Sequence, residues 1–223
     1  MRIGILGAGL MGGKLGTIFA RVGHEVVFSY SRDRKKLEKL ARNAGGEAHA
    51  GTPAEAAQDA EFLLFAVHWS HLDDVLKQAG DVSGKIIVTC SLPMKADDTD
   101  LVIAHTSSGA EELAKRVPRS AVVSAFGTVP SEVLFAVFEA RRRKNRPSLV
   151  YSGDNEKAKK VVAGLIEEVG FDPEDVGPLK MARYTEPFTM LIAKLAYEVD
   201  GGPGVAYRFE RFEERQASSS RRA

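Results

Sequence analysis

Short apolar runs alternate with amphipathic segments along the first part of the chain. Residues 2–6 and 25–28 are nearly continuous apolar runs, and between them residues 10–22 carry apolar positions at helical spacing. Strands of a parallel sheet are covered on both faces and therefore lack polar alternation, whereas the covering helices keep one polar face. The order predicts a strand, a helix and a second strand joined by short turns.

The same alternation continues to about residue 125. Residues 52–55, Thr-Pro-Ala-Glu, form a helix start with a cap, an early proline and a glutamate that can bond back to the cap. Strands are predicted at 61–67, 85–89 and 121–125, and helices at 33–43, 72–79 and, with Ser108 as cap, 109–117. Residues 92–106 have no period and predict a loop at the mouth of the sheet. A Rossmann-type doubly wound parallel sheet is expected over residues 1–125.

Residues 126–212 are too few for a second such sheet and predict a small C-terminal α/β domain. Helices are expected at 130–143, 155–168 with Asp154 as cap, and 180–199, with strands at 148–152 and 171–176. In the last helix Phe188, Leu191, Ile192 and Leu195 recur at helical spacing, which favours core packing or a subunit interface and leaves a homodimer open. The polar residues 213–223 are expected to form a disordered tail.

A glycine-rich turn lies between the first strand and the first helix. Residues 7–12, Gly-Ala-Gly-Leu-Met-Gly, fit G-x-G-x-x-G in the strand–turn–helix setting of a dinucleotide-binding unit. Gly7 suits the tight turn, Gly9 the close approach of a pyrophosphate, and Gly12 the contact between helix and strand. The first helical N–H groups, from Leu10 and Met11 onward, would hold the pyrophosphate.

The end of the second strand indicates which dinucleotide is bound. An NAD site usually has a carboxylate about 20 residues after the glycines. Here the strand ends in Ser-Tyr-Ser-Arg, and Ser31, Arg32 and Lys36 have the chemistry to hold a 2′-phosphate. Asp33 suits the cap of the next helix. The pattern predicts NADP(H), and the alternative is that the cations only mark a solvated helix start.

Composition limits the classes of protein that fit. The chain has 223 residues, a formal net charge of +1 and a single cysteine, Cys90. Near-zero charge argues against nucleic acid as a partner, and one cysteine excludes an internal disulfide. Apolar runs are too short for a membrane span, and the first strand begins where a signal peptide would lie. We expect a cytoplasmic protein with a small-molecule partner and no membrane or nucleic-acid partner.

Three other features favour structural roles. His68 and His71 have a spacing compatible with a metal, but no third ligand is indicated, so no metal site is predicted. Cys90 at a strand end is more typical of buried packing than of a redox thiol. The basic run 141–146 has the charge to bind an anion, yet it is typical of a solvent-facing helix end.

Beyond these patterns, several further segments of the chain carry a family resemblance together with the glycine turn and the Ser31-Arg32 pair. They lie at 23–26, 69–71, 107–113, 124–130, 151–154, 176–179 and 201–204. Through these segments the chain resembles, nearly end to end, the NADPH-dependent reductases of the 8-hydroxy-5-deazaflavin coenzyme F-420. Cytosolic domains of membrane metalloreductases are similar over the first two thirds. The chain departs from the family at Gly127 and His68, near the mouth that would receive the second coenzyme.

The resemblance implies hydride transfer between NADPH and a deazaflavin. Both redox partners are then small molecules, so the protein mainly aligns two rings and excludes water, and no catalytic triad is required. Walls of the hydride pocket are expected at the carboxyl ends of three strands. The candidates are Val67, His68 and Trp69, then Cys90, Ser91 and Leu92, then Phe126, Gly127, Thr128, Val129 and Pro130.

Two further classes of function remain open from the sequence. The glycine turn would equally serve an NADPH-dependent reductase of another acceptor, such as a flavin, a quinone or an imine. It would also serve a non-catalytic sensor that binds NADP and reports its redox state to a partner.

Overall fold

A computed structural model describes residues 1–212 of the chain, organised around one eight-stranded sheet with helices on both faces. The strands are β1 (Arg2–Leu6), β2 (Glu25–Ser29), β3 (Ala48–Ala50), β4 (Phe62–Phe65), β5 (Ile86–Thr89), β6 (Ala121–Ser124), β7 (Ser148–Gly153) and β8 (Asp172–Asp175). Their order across the sheet is β3-β2-β1-β4-β5-β6-β7-β8. The doubly wound, mostly parallel sheet predicted from the sequence is confirmed.

The helices follow the predicted alternation. They are α1 (Leu10–Arg21), α2 (Arg34–Ala44), α3 (Pro53–Ala57), α4 (Leu72–Ala79), α5 (Gly109–Arg116), α6 (Leu134–Glu139), α7 (Glu156–Val169) and α8 (Ala182–Tyr197), with 3-10 turns at Trp69–His71, Ser131–Val133 and Leu179–Met181. No helix among the described residues has the length and apolar character needed to cross a bilayer.

Strand β4 shows why its run is apolar at every position. Phe62 and Leu64 belong to the core layer formed with α1, α2, α6 and α7, whereas Leu63 and Phe65 belong to the layer with α3, α4 and α5. All four side chains are fully buried. Burial of each such side chain contributes about 1.5–3 kcal/mol to folding stability. A polar residue at any position of this strand would therefore destabilise one of the two core layers.

The C-terminal part continues the same sheet. Strand β7 pairs antiparallel with β6 through Val123↔Gly153 and Ser124↔Ser152, and β8 pairs parallel with β7. The two strands predicted for this part are therefore present, and they extend the edge of the Rossmann sheet. The division of the chain into two domains stays a prediction, and the predicted tail at 213–223 lies outside the described residues.

Several predicted boundaries are wrong in this part. Asn155, not Asp154, caps α7 by accepting the Ala158 N–H, while Asp154 accepts the N–H of Leu179. The helix predicted over 130–143 is a 3-10 turn followed by the short α6. Just past its end the guanidinium of Arg141 lies 4.0 Å from the Phe138 ring and donates to the Phe138 carbonyl, so it satisfies a terminal carbonyl of the helix.

Helix α8 buries a different stripe from the one predicted. Of the four apolar residues at helical spacing only Ile192 lies in the core, whereas Leu191 and Leu195 are 55% and 42% exposed. The buried stripe consists of Ala182, Glu186, Thr189, Ile192 and Ala196. The subunit interface expected on the exposed face stays a prediction.

Candidate functional site

The glycine turn after β1 is tightly packed at two of its three glycines. Gly7 has φ +114°, in the left-handed region, and a Cβ there would lie 2.4 Å from the Ala66 carbonyl oxygen and 2.8 Å from Val67. A Cβ on Gly12 would lie 2.1 Å from the Gly7 carbonyl oxygen. The fold itself therefore requires glycine at both positions.

Gly9 differs from its two neighbours in the motif. It has φ −79° and an added Cβ would meet nothing within 4 Å. It is the N-cap of α1, and no side chain of the described residues caps that helix start. The first helical N–H groups, at Leu10, Met11 and Gly12, thus have no side-chain cap among the described residues, and uncapped N–H groups at a helix start favour binding of a phosphate group.

A large cavity opens at the carboxyl end of β2. Its volume is about 610 Å³, and Ser31, Arg32, Thr52, His71 and Asp74 are among its lining residues. The cavity lies between the turns after β2 and β3 and helix α4. It is one strand away from the β1–β4 position where the strand order reverses, and such switch points are where doubly wound sheets bind ligands. Its size fits an adenosine moiety.

Arg32 is available for a ligand in this cavity. Its exposed side chain forms no ion pair within residues 1–212, while the neighbouring Arg34 pairs with Glu38. Asp33 accepts the Lys35 N–H as the N-cap of α2, as predicted. The Ser31 hydroxyl oxygen accepts the Asp33 N–H and keeps its own proton for a further bond.

The structure separates Lys36 from Arg32. Lys36 lines a second groove of about 440 Å³ between α1 and α2, with Gly9, Leu10 and Lys14 among the other lining residues. The ammonium of Lys14 donates to the carbonyl and hydroxyl oxygens of Ser131. A single phosphate contacting both Arg32 and Lys36 would have to bridge the helix start that separates the two openings.

Sequence reasoning missed Tyr30, which forms a wall of the large cavity. Its backbone has φ +59° directly after β2, and its hydroxyl donates to the Asp74 carboxylate at 2.7 Å. Burial, together with this hydrogen bond to a carboxylate, raises the pKa of Tyr30 to about 12. A non-glycine residue in the left-handed region is uncommon, and only the structure shows it. Tyr30 thus keeps its ring fixed beside His71.

The candidates for the hydride pocket fall into two groups. Cys90, Gly127 and Thr128 line one small cavity between the carboxyl ends of β5 and β6 and helix α8. Trp69 lies elsewhere, with the guanidinium of Arg116 5.7 Å from its ring, and Pro130 precedes the 3-10 turn at Ser131. Neither lines this cavity.

His68 ties the long loop to the mouth of the sheet. Its Nδ1 accepts the Ser70 N–H as cap of the 3-10 turn, and its Nε2 lies 3.2 Å from the carboxylate of Asp98. Asp98 belongs to the predicted loop 92–106, in which Met94 and Leu101 form an isolated antiparallel β-bridge. Within residues 1–212 no three potential ligand side chains are grouped to hold a metal.

The residues that follow β5 and β6 include a strained backbone position and a buried thiol. Phe126, directly after β6, is fully buried with φ +64°, so the chain enters Gly127 from a strained turn. Burial raises the pKa of the Cys90 thiol to about 12, and its sulfur donates to the Phe65 carbonyl. The thiol therefore stays protonated, which agrees with packing rather than redox chemistry.

An extended segment after α8 contacts Thr128 and Val150, two residues that line the β5–β6 cavity, and no sequence motif predicts this contact. The hydroxyl of Tyr207 is 2.7 Å from the Thr128 hydroxyl and accepts the Val150 N–H at 3.2 Å. Its ring packs edge-on against Phe188 and Phe209. Tyr207 thus fixes the rotamer of a predicted pocket residue from 79 positions away.

Glu186 is a buried acid on the same side and was also missed. It is 4% exposed, and its carboxylate accepts the N–H groups of Gly109 and Ala110 at 2.8 and 2.9 Å. Burial raises its pKa to about 7, although the two N–H bonds oppose the shift. Beside it Arg183 forms two hydrogen bonds with Glu111. The sequence signal for Glu186 is its spacing: it lies four residues after Ala182 and therefore on the same face of α8.

Comparison with known proteins supports the resemblance. Metalloreductase STEAP3 of Rattus norvegicus is 30% identical over 185 residues, which are 83% of this chain and 36% of that protein. The chain thus spans about a third of the curated relative it matches. A crystal structure from Arthrobacter sp. FB24, provisionally assigned as an F420-dependent NADP reductase, superposes with a TM-score of 0.83 at 25% identity, covering 95% of this chain and 100% of that one.

More distant structures share the fold. A reductive aminase from Aspergillus terreus in complex with NADPH has a TM-score of 0.64 at 17% identity, over 86% of this chain and 60% of that chain. Residues 2–93, from β1 through the glycine turn and the large cavity to the end of β5, match the family described as NADP oxidoreductase, coenzyme F420-dependent. Residues 2–93 thus form a domain of the coenzyme F420-dependent NADP oxidoreductase family.

Proposed function

We propose that the protein transfers a hydride between NADPH and a deazaflavin of the coenzyme F-420 type. The observation that carries the proposal is Gly9. Gly7 and Gly12 are explained by contacts within the protein, whereas Gly9 is a glycine that no intramolecular contact requires. A ligand that approaches the backbone there gives it a physical reason, and the free N–H groups of α1 favour a pyrophosphate.

The residues present fit NADP(H). The large cavity has room for the adenosine, with the Tyr30 ring as one wall and Arg32 as the unpaired cation for a 2′-phosphate. When bound, NADPH supplies the hydride. The protein then orients its ring toward the β5–β6 side, where Gly127 offers backbone approach and buried side chains exclude water.

The deazaflavin as acceptor rests on the family and on the Arthrobacter structure. In both directions the reaction needs two rings in contact and no nucleophile or metal from the protein. A deazaflavin ring placed over Gly127 and Thr128 would meet a surface without charged groups apart from Glu186 at its inner end.

The test is anaerobic oxidation of NADPH by the purified protein with several acceptors. Coenzyme F-420, riboflavin, FMN and a ferric chelate are compared, with NADH as the matched cofactor and Arg32→Ala as the matched variant. We expect the highest kcat/KM with NADPH and coenzyme F-420. Preference for a flavin or the ferric chelate would replace the acceptor, and binding of NADPH without oxidation by any acceptor would favour a sensor.

A further inference from the structure

A polar cavity lies behind the expected position of the acceptor. On the sheet side it is lined by Cys90, Gly127 and Thr128, and on the α8 side by Thr185, Glu186 and Thr189. Its volume is about 10 Å³, which is about the space that one water molecule needs. It therefore connects the buried acid on α8 to the wall where hydride transfer is proposed.

Glu186 is placed between two opposing influences. Burial in the α8 interface favours the neutral carboxyl, whereas two N–H groups at the start of α5 favour the carboxylate. The charged groups nearest to it are Glu111 on α5 and Arg183 on α8, which pair with each other, and the Cys90 thiol beyond the cavity is neutral. The site can therefore hold the acid in either protonation state.

The proposed reaction needs a proton as well as a hydride. The C–H bond of the dihydronicotinamide breaks with both electrons, which leaves NADP⁺ and a reduced acceptor with one more negative charge. That anion becomes neutral by taking one proton. The need is the same for a deazaflavin, a flavin or an imine, so it does not depend on which acceptor is used.

We infer that Glu186 holds this proton and delivers it to the reduced acceptor through the cavity beside Thr128. The O–H bond of the Glu186 carboxyl breaks, a bond between the proton and the acceptor ring forms, and the carboxylate that remains is held by the N–H groups of Gly109 and Ala110. Solvent then returns the proton. The inference rests on the proposed function, and Glu186 acts as a relay residue rather than by direct contact.

The test compares Glu186→Gln with Glu111→Gln in the full-length protein. Both variants replace a glutamate at the α5–α8 contact, but Glu111 does not line the cavity, and its partners are Arg183 and the Ser108 hydroxyl. With coenzyme F-420 we expect Glu186→Gln to reduce the rate of hydride transfer about tenfold to hundredfold and to remove its pH dependence near neutrality. NADPH affinity should change less than about twofold. Glu111→Gln should keep the wild-type pH profile.

A readout without turnover follows the acid itself. The infrared carbonyl band of the protonated carboxyl, assigned by its absence in Glu186→Gln, should disappear in the wild type as the pH rises through neutrality. If the glutamine variant fails to fold, Glu186→Asp is used instead, and it should keep a pH-dependent but slower reaction.

Three results would overturn the inference. The first is a Glu186 carboxylate at all pH values in the infrared titration, and the second is an unchanged pH profile in Glu186→Gln. The third is an equal loss of activity and stability in both glutamine variants, which would mean that Glu186 only holds α8 against α5. A wild type that oxidises NADPH with no acceptor contradicts the proposed function as well. If the wild type reacts at its normal rate and Glu186→Gln keeps the wild-type pH profile, only this inference is contradicted.

Discussion

The two ends of the proposed cleft differ in space and in how they are built. The cavity at the end of β2 has a volume of about 610 Å³, whereas the cavity between β5, β6 and α8 has about 10 Å³. The first is lined by the turns after β2 and β3 and by helix α4. The second depends on contacts between residues far apart in the chain, such as Gly109 with Glu186 and Thr128 with Tyr207.

In the proposed function the cofactor side is the large open cavity, whereas the acceptor side is covered by α8 and by the segment that carries Tyr207. A ring as large as a deazaflavin must bind over the β5–β6 wall or displace part of that cover. Mutations on the two sides should therefore separate cofactor affinity from acceptor reduction. Four predictions use that separation, ordered by the size of the expected effect.

The largest effect is expected for Gly9→Val. Gly9 has a negative φ of −79°, and an added Cβ would meet no atom within 4 Å, so the fold should persist. The valine side chain would occupy the space of the pyrophosphate, and we expect NADPH and NADH binding to fall more than about hundredfold, or by about 3 kcal/mol. Fluorescence titration measures binding, and thermal unfolding checks the fold.

Gly12→Val is the matched control in the same turn. Its Cβ would clash with the Gly7 carbonyl oxygen at 2.1 Å, so this variant should lose stability as well as binding. If Gly9→Val bound NADPH normally, the pyrophosphate site would lie elsewhere. If both variants unfolded alike, the distinction between the glycines would be wrong.

Arg32→Ala should have the next largest effect. Loss of the unpaired guanidinium should weaken NADPH binding by about 1.5–3 kcal/mol, roughly ten- to hundredfold, and leave NADH nearly unchanged. Lys36→Ala is the informative comparison, because Lys36 lines the other groove. Equal weakening of NADPH and NADH by Arg32→Ala would exclude a role in binding the 2′-phosphate.

These local features are the part of the site that the sequence predicts well. The glycine turn, the capped helices at Thr52 and Ser108 and the cap at Asp33 are each specified by residues within a few positions of one another. Short-range patterns of this kind depend on backbone geometry and helix capping. The strand order beyond them follows from alternation and the rules of crossover connections.

The missed residues act through long-range contacts or unusual backbone. Tyr30 is set by a left-handed φ, Glu186 by the start of a helix 76 positions away, and Tyr207 by β7 and Thr128. The core-packing alternative for the apolar residues of α8 holds for Ile192 but not for Leu191 and Leu195, because the buried positions of the helix include Glu186 and Thr189. Apolar periodicity does not identify a helix face that is buried around polar groups.

Gly127→Leu tests the acceptor side. A Cβ at Gly127 would lie 3.4 Å from the Cys90 carbonyl oxygen, an ordinary contact, so Gly127→Ala should be tolerated. The longer leucine would fill the wall over the small cavity, and we expect kcat/KM for the acceptor to fall about tenfold while the dissociation constant of NADPH changes little. A larger loss in NADPH affinity than in acceptor reduction would place the nicotinamide, not the acceptor, at Gly127.

The smallest effect is expected for Tyr207→Phe, which keeps the ring and its edge-on contacts with Phe188 and Phe209 but removes one hydroxyl. That hydroxyl bonds the Thr128 hydroxyl and the Val150 N–H, so its loss should cost about 1 kcal/mol of stability. For a chain of this size the cost corresponds to a fall in Tm of about 2–4 °C.

Loss of the Tyr207 hydroxyl also leaves the Thr128 side chain free to change rotamer. We therefore expect the KM for the acceptor to rise by a few-fold, while NADPH binding is unaffected. Thr128→Val removes the same hydrogen bond from the other side, so the double variant should lose no more stability or activity than Tyr207→Phe alone. Additive losses in calorimetry and steady-state kinetics would show that Tyr207 does not act through Thr128.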